Sequence, residues 1–94
     1  MLTTKLTEAL GCRVPVIQTA MGWIARPALV AATSNAGAFG FLAAAVMRPK
    51  ELAEEIARLR DMTPHSFGVN FHSFQPGAAE IVEIILANKD RVRA

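Results

Sequence analysis

Apolar residues in this chain recur in two rhythms. Three stretches are short and apolar nearly throughout: Val14–Ala20, Phe39–Ala44 and His65–Phe71. Their β-branched and aromatic content, with Pro or Gly at or near their ends, predicts buried strands. Between them the apolar residues space out to helical periods. Leu6, Ala9 and Leu10 share one face of an expected helix over Leu2–Leu10, capped by Thr3 or Thr4 and ended by Gly11. A second helix opens at Arg26-Pro27, takes its apolar face from Leu29 and Val30, and stops at Asn35-Ala36-Gly37. The third opens at Arg48-Pro49, buries Leu52, Ile56 and Leu59, and breaks at Thr63-Pro64. Its expected wet face is Glu51, Glu54, Glu55, Arg58 and Arg60, with Glu54 and Arg58 four residues apart as an ion pair. A last helix follows Gln75-Pro76-Gly77 and points Ile81, Val82, Ile85 and Leu86 inward.

The order is α-β-α-β-α-β-α. Continuous apolar strands separated by helices predict a parallel sheet covered by those helices. Strand-to-strand spacing of about 25–28 residues fits both an eight-stranded β/α barrel and a doubly wound sheet, and spacing alone does not separate them. A barrel typically takes roughly 250 residues. As a barrel, residues 1–94 are therefore an incomplete domain of three βα units that ends just after a helix.

Both folds bind ligands at the C-terminal ends of their strands, which singles out a few residues. Alternation puts Val16, Gln18 and Ala20 on one side of the first strand, and Gly68, Asn70 and His72 on one side of the third. Gln18, Met21, Gly22, Asn70 and His72 are candidates by position. The plainer readings are a Gln18 satisfied by neighbouring backbone, an Asn70 that caps a turn, and a surface His72. The glycine-bearing segment Ser34–Gly40 leads from helix into strand, the reverse of a phosphate-binding loop. Cys12, His65 and His72 have no metal-ligand spacing, and no serine sits on a nucleophile elbow.

Composition narrows the picture further. The 94 residues are 52% hydrophobic and 19% charged, which excludes a disordered chain and allows one small domain. A net charge of +2 and the mixed tail Lys89–Arg93 argue against nucleic acid and read as a solvated helix end. The single cysteine, Cys12, excludes an internal disulfide and reads as a structural thiol in a reducing compartment. The start Met1–Lys5 has no signal-peptide core, and no apolar run reaches the ~20 residues of a membrane helix. The expectation is a soluble, cytoplasmic protein with a small-molecule substrate and no membrane partner.

Two stretches resemble a known family. Pro15-Val16-Ile17-Gln18-Thr19-Ala20-Met21-Gly22 and Leu29–Leu42 are similar to the N-terminal part of nitronate monooxygenases, and Phe67-Gly68-Val69-Asn70-Phe71 matches the family's third-strand Gly-Val-Asn motif. The resemblance implies an α/β fold, the N-terminal three βα units of a TIM-type (β/α)8 barrel, that binds FMN without a covalent link. It implies that Ala20, Met21 and Gly22 run under the flavin ring, that Asn70 approaches it, and that Gln18 can line the site. Ala20 stands where many relatives carry Pro. The implied activity is oxidation of alkyl nitronates with O2. Flavin-dependent enoyl-acyl-carrier-protein reductases share the same motifs, so that reaction is an alternative, as is a non-catalytic α/β module. The family's catalytic histidine and phosphate-binding loops belong to later strands, so no catalytic residue is expected here, and His72 does not match that histidine. Alone, the chain is expected to self-associate through an open interior lined by Gln18, Leu42 and Asn70.

Overall fold

The computed structural model describes residues 3–94. Three parallel strands, β1 (Ile17–Gln18), β2 (Phe39–Ala43) and β3 (Gly68–Asn70), form a sheet in the order β1-β2-β3. Helices α1 (Lys5–Leu10), α2 (Pro27–Asn35), α3 (Pro49–Met62) and α4 (Ala78–Ala87) alternate with them, and a 3₁₀ turn, Ala44–Val46, follows β2. No helix among the described residues is long and apolar enough to cross a membrane.

Local chemistry sets the boundaries. Thr4 caps α1 in a reciprocal pair with Thr7, and Gly11 ends it at φ 70°, where glycine is favoured. Pro27 and Pro49 occupy first turns, where a missing N–H costs nothing. The expected α1 face does not form a core contact: Leu6 and Ala9 are exposed and Thr7 is the buried residue. Leu2, the expected start of that helix, lies outside the described residues.

The core lies between the sheet and α2–α4. Val30, Ala31, Leu42, Leu52, Ile56, Leu59, Phe67, Val69 and Ile81 are its centre. Gly40 lets α2 come close: a Cβ there would sit 3.2 Å from the Val30 Cα. The opposite sheet face carries Phe39 and Phe41, packed edge-to-face at 5.4 Å, with Gly68 beside them. A Cβ on Gly68 would lie 2.4 Å from the Phe41 ring, so glycine leaves room for that pair.

Several expectations change. The β1 ladder is two residues long: at its start the Val16 N–H donates back to the Val14 carbonyl at 2.9 Å instead of across to β2. Glu55 is not on the wet face: it is 5% exposed and receives Arg26 at 2.6 Å and Arg58 at 2.9 Å. Three residues from Leu52 and four from Leu59, it lies on the core side of α3, and the Arg26 cap of α2 supplies its charge partner. Hydrogen bonding to Glu51, opposed by partial desolvation and reinforced by the charge of Glu55, holds the Arg26 pKa above its ordinary value. Helix α4 buries Ile81 and half-buries Ile84 and Ile85, whereas Val82 is 42% and Leu86 60% exposed. It packs along α3, which leaves the 82/86 row outward.

The tail is not a solvated helix end. The Phe67 N–H donates to the Arg91 carbonyl, the Arg93 N–H to the Phe67 carbonyl and the Val69 N–H to the Ala94 carbonyl. Residues 91–94 thus run parallel alongside β3, with Phe67 paired to Val92 in a single parallel bridge. Arg91 donates to the Thr63 and His65 carbonyls, and Arg93 to those of Glu8 and Ala9, so the two cations sit at the C-terminal ends of α3 and α1. Arg60 grips Asp90 through two hydrogen bonds, which hold that carboxyl below the usual carboxylate range.

Candidate functional site

The C-terminal ends of the strands gather three connections. After β1, residues 19–25 form a compact loop: the Met21 carbonyl accepts from Ile24 N–H at 3.1 Å and from Ala25 N–H at 2.8 Å. Ala25, fully buried, accepts in turn from the Ala43 N–H at 3.0 Å, which ties the loop to β2. After β2 comes the 3₁₀ turn, and after β3 the loop 71–77. Gln75 joins the last two, accepting from the His72 N–H at 2.7 Å and donating to the Ala44 carbonyl at 3.1 Å and that of Met47 at 3.4 Å.

Ala20, Met21, Gly22 and Asn70 all lie at this end of the sheet. Asn70 pairs in register with Ala43, so both look to the Phe39–Phe41 side; Asn70 is exposed there and Ala43 is buried. Gly22 is exposed, and a Cβ there would meet Val46 alone, at an ordinary 3.5 Å. The Gly22 N–H and the Asn70 side chain have no hydrogen-bond partner among the described residues. An open peptide edge and a free amide suit one side of a planar ring with polar edges, such as the ring of a flavin.

Gln18 does not join them. It pairs with Gly40, and its Oε1 is 2.8 Å from where a Gly40 Cβ would be, next to Val30 of α2. Its side chain is therefore on the helix side of the sheet, as is Leu42, which packs in the core. The expected interior lined by Gln18, Leu42 and Asn70 is corrected: Asn70 alone of the three faces it. The cause is register, since a one-residue step reverses every side chain of a strand. The Gln18 amide donates to the Thr19 and Phe41 carbonyls, which leaves its buried Oε1 unpaired. It clamps the start of the Ala20–Gly22 loop to β2 from behind.

Two features escape a sequence reading. Trp23 has φ 69°, the one non-glycine residue among those described in the left-handed region. Phe74 is 84% exposed and His72 stacks on it at 5.0 Å.

Comparison with known proteins gives a consistent picture. The nitronate monooxygenase family profile matches residues 3–92. A Mycobacterium tuberculosis protein named (3aS,4S,5R,7aS)-5-hydroxy-7a-methyl-1-oxo-octahydro-1H-indene-4-carboxyl-CoA dehydrogenase is 44% identical, over 97% of this chain and 26% of its own length. A probable nitronate monooxygenase of Staphylococcus aureus is 39% identical, over 70% of this chain and 19% of its own length. FabK from Thermotoga maritima superposes with a TM-score of 0.90 at 32% identity, covering 95% of this chain and 29% of that one. The chain spans about a quarter or less of the length of the curated relatives it matches. Strand order β1-β2-β3 is shared by barrels and by one half of a dinucleotide fold. The likeness to FabK, a barrel protein, resolves this in favour of the N-terminal units of a TIM-type barrel.

Proposed function

We propose that this chain, which belongs to the nitronate monooxygenase family, forms the ring-binding portion of an FMN-dependent oxidoreductase. The observation that carries the proposal is that the open Gly22 backbone and the unpartnered Asn70 amide both lie at the ligand-binding end of the sheet. FMN held there would accept the electrons removed from the substrate. The chain's own residues hold and orient: the Met21 carbonyl locks the loop, Gln18 clamps it from behind, and Asn70 offers a donor and an acceptor to a ring edge.

For the substrate, the M. tuberculosis relative supports a coenzyme A thioester, since its identity is higher and extends over more of this chain than that of the S. aureus relative. A second reading, nitronate oxidation, is supported by the family description and by the S. aureus protein's name. An enoyl reductase of the flavin-dependent type would also use a thioester. A non-catalytic module is disfavoured by Ile17, Met21 and Ile24, apolar and exposed on β1 and its loop.

The full-length protein, assayed with a bicyclic hydroxyacyl-CoA, an enoyl thioester and an alkyl nitronate under air, separates these readings. Flavin-dependent turnover of the hydroxyacyl-CoA is expected. Turnover of the enoyl thioester alone would indicate the reductase, and of the nitronate alone the second reading. A protein that purifies without flavin and turns over none of the three would leave the non-catalytic module.

A further inference from the structure

We propose that Trp23 is a specificity-determining residue that packs against the ring system of the substrate's acyl group; the inference rests on the thioester reading above. Trp23 occupies the third position of the turn closed by the Met21 carbonyl and the Ile24 N–H, where φ 69° suits glycine. Gly22 sits one position too early to relieve it. A bulky residue seldom holds this conformation unless its surroundings impose it, and such outliers concentrate at ligand sites. Among the described residues no packing compensates, because Trp23 is 76% exposed.

The position of the indole says what it is for. Its loop and the loop after β3 seat on the same 3₁₀ turn: Gly22 lies against Val46 on one side, and Gln75 binds the Ala44 and Met47 carbonyls on the other. The second loop carries the His72–Phe74 stack, with Phe74 turned out to solvent. The strands that bear these loops are two sheet spacings apart, roughly 10 Å. Exposed aromatic side chains therefore stand on both flanks of the end that offers Gly22 and Asn70. A nitronate of a few carbons cannot cover such surfaces. A fused alicyclic ring can, through the large flat area an indole buries.

The test uses the full-length holoenzyme and the ratio of kcat/KM for the bicyclic hydroxyacyl-CoA to that for 3-hydroxybutyryl-CoA. Trp23→Asn removes the indole but keeps a residue that tolerates left-handed backbone, so the fold is retained and its Tm does not fall. This variant is expected to lower the ratio by about 10-fold or more, mainly through KM for the bicyclic substrate. Trp23→Phe, which keeps an aromatic ring, should restore most of it. An unchanged ratio in Trp23→Asn overturns the proposal and means that other parts of the barrel cover the indole. If neither thioester turns over, the thioester reading itself has failed, and calorimetric binding of 1-indanone-4-carboxylate decides the role of Trp23. Binding lost in Trp23→Asn supports it; no binding, or equal binding by both proteins, overturns it.

Discussion

In the full-length protein, Phe67→Ala should cost about 3–5 kcal/mol, a large part of the about 5–15 kcal/mol by which native proteins are stable. Phe67 has no exposed surface and sits in the core between β3 and the helices. Its backbone also holds Arg91 and Arg93, so the cavity would open where residues 91–94 run alongside β3. The melting temperature should fall by several degrees or more. Phe74→Ala, which removes the same ring from an 84% exposed position, should change stability by no more than about 0.5 kcal/mol. Thermal melts of the two variants check the burial pattern directly, and similar losses in both would contradict it.

The 94-residue chain alone should bind FMN with a Kd in the millimolar range or weaker. In barrel enzymes the phosphate commonly rests on loops after strands seven and eight, and this chain matches under a third of a FabK chain. The contacts it offers, the Ala20–Gly22 backbone and Asn70, reach a ring only. They must offset several kcal/mol lost on association. The same sample should elute from gel filtration as more than a monomer, because Ile17, Met21, Trp23 and Ile24 expose apolar surface along one edge. Flavin fluorescence during a titration measures the affinity, and micromolar binding by a monomer would mean that a complete site exists within these residues.

Much of the fold was legible because its signals are local. Pro27 and Pro49 open helices, Gly11 closes one, and Leu52, Ile56 and Leu59 repeat at helical spacing. Met21, Gly22 and Asn70 were legible by position at strand ends and by resemblance to a family. The face of Gln18 was not, because it depends on which residue of β2 lies opposite, and alternation within one strand carries no such register. The burial of Glu55 depends on Arg26, twenty-nine residues away. Residues 91–94 read as a charged tail because Arg-Val-Arg offers one apolar side chain; its place alongside β3 comes from backbone hydrogen bonds. The left-handed Trp23 had no sequence rule behind it, since propensity assigns such a position to glycine.

The central claim is that the flavin ring lies on the open backbone at Gly22, and Gly22→Val in the full-length protein tests it most directly. A Cβ added there meets Val46 at an ordinary 3.5 Å, and Gly22 is exposed and not in the left-handed region, so the fold is expected to be retained. A ring stacked on that backbone would be displaced. The measurement is the ratio of flavin to protein in the purified variant, read beside its Tm after the flavin has been stripped from both proteins. The expected result is an occupancy reduced about tenfold or more, with the Tm of the stripped protein unchanged; this corresponds to at least about 1.4 kcal/mol of lost binding. Full flavin occupancy in Gly22→Val would contradict the claim and place the cofactor elsewhere in the barrel.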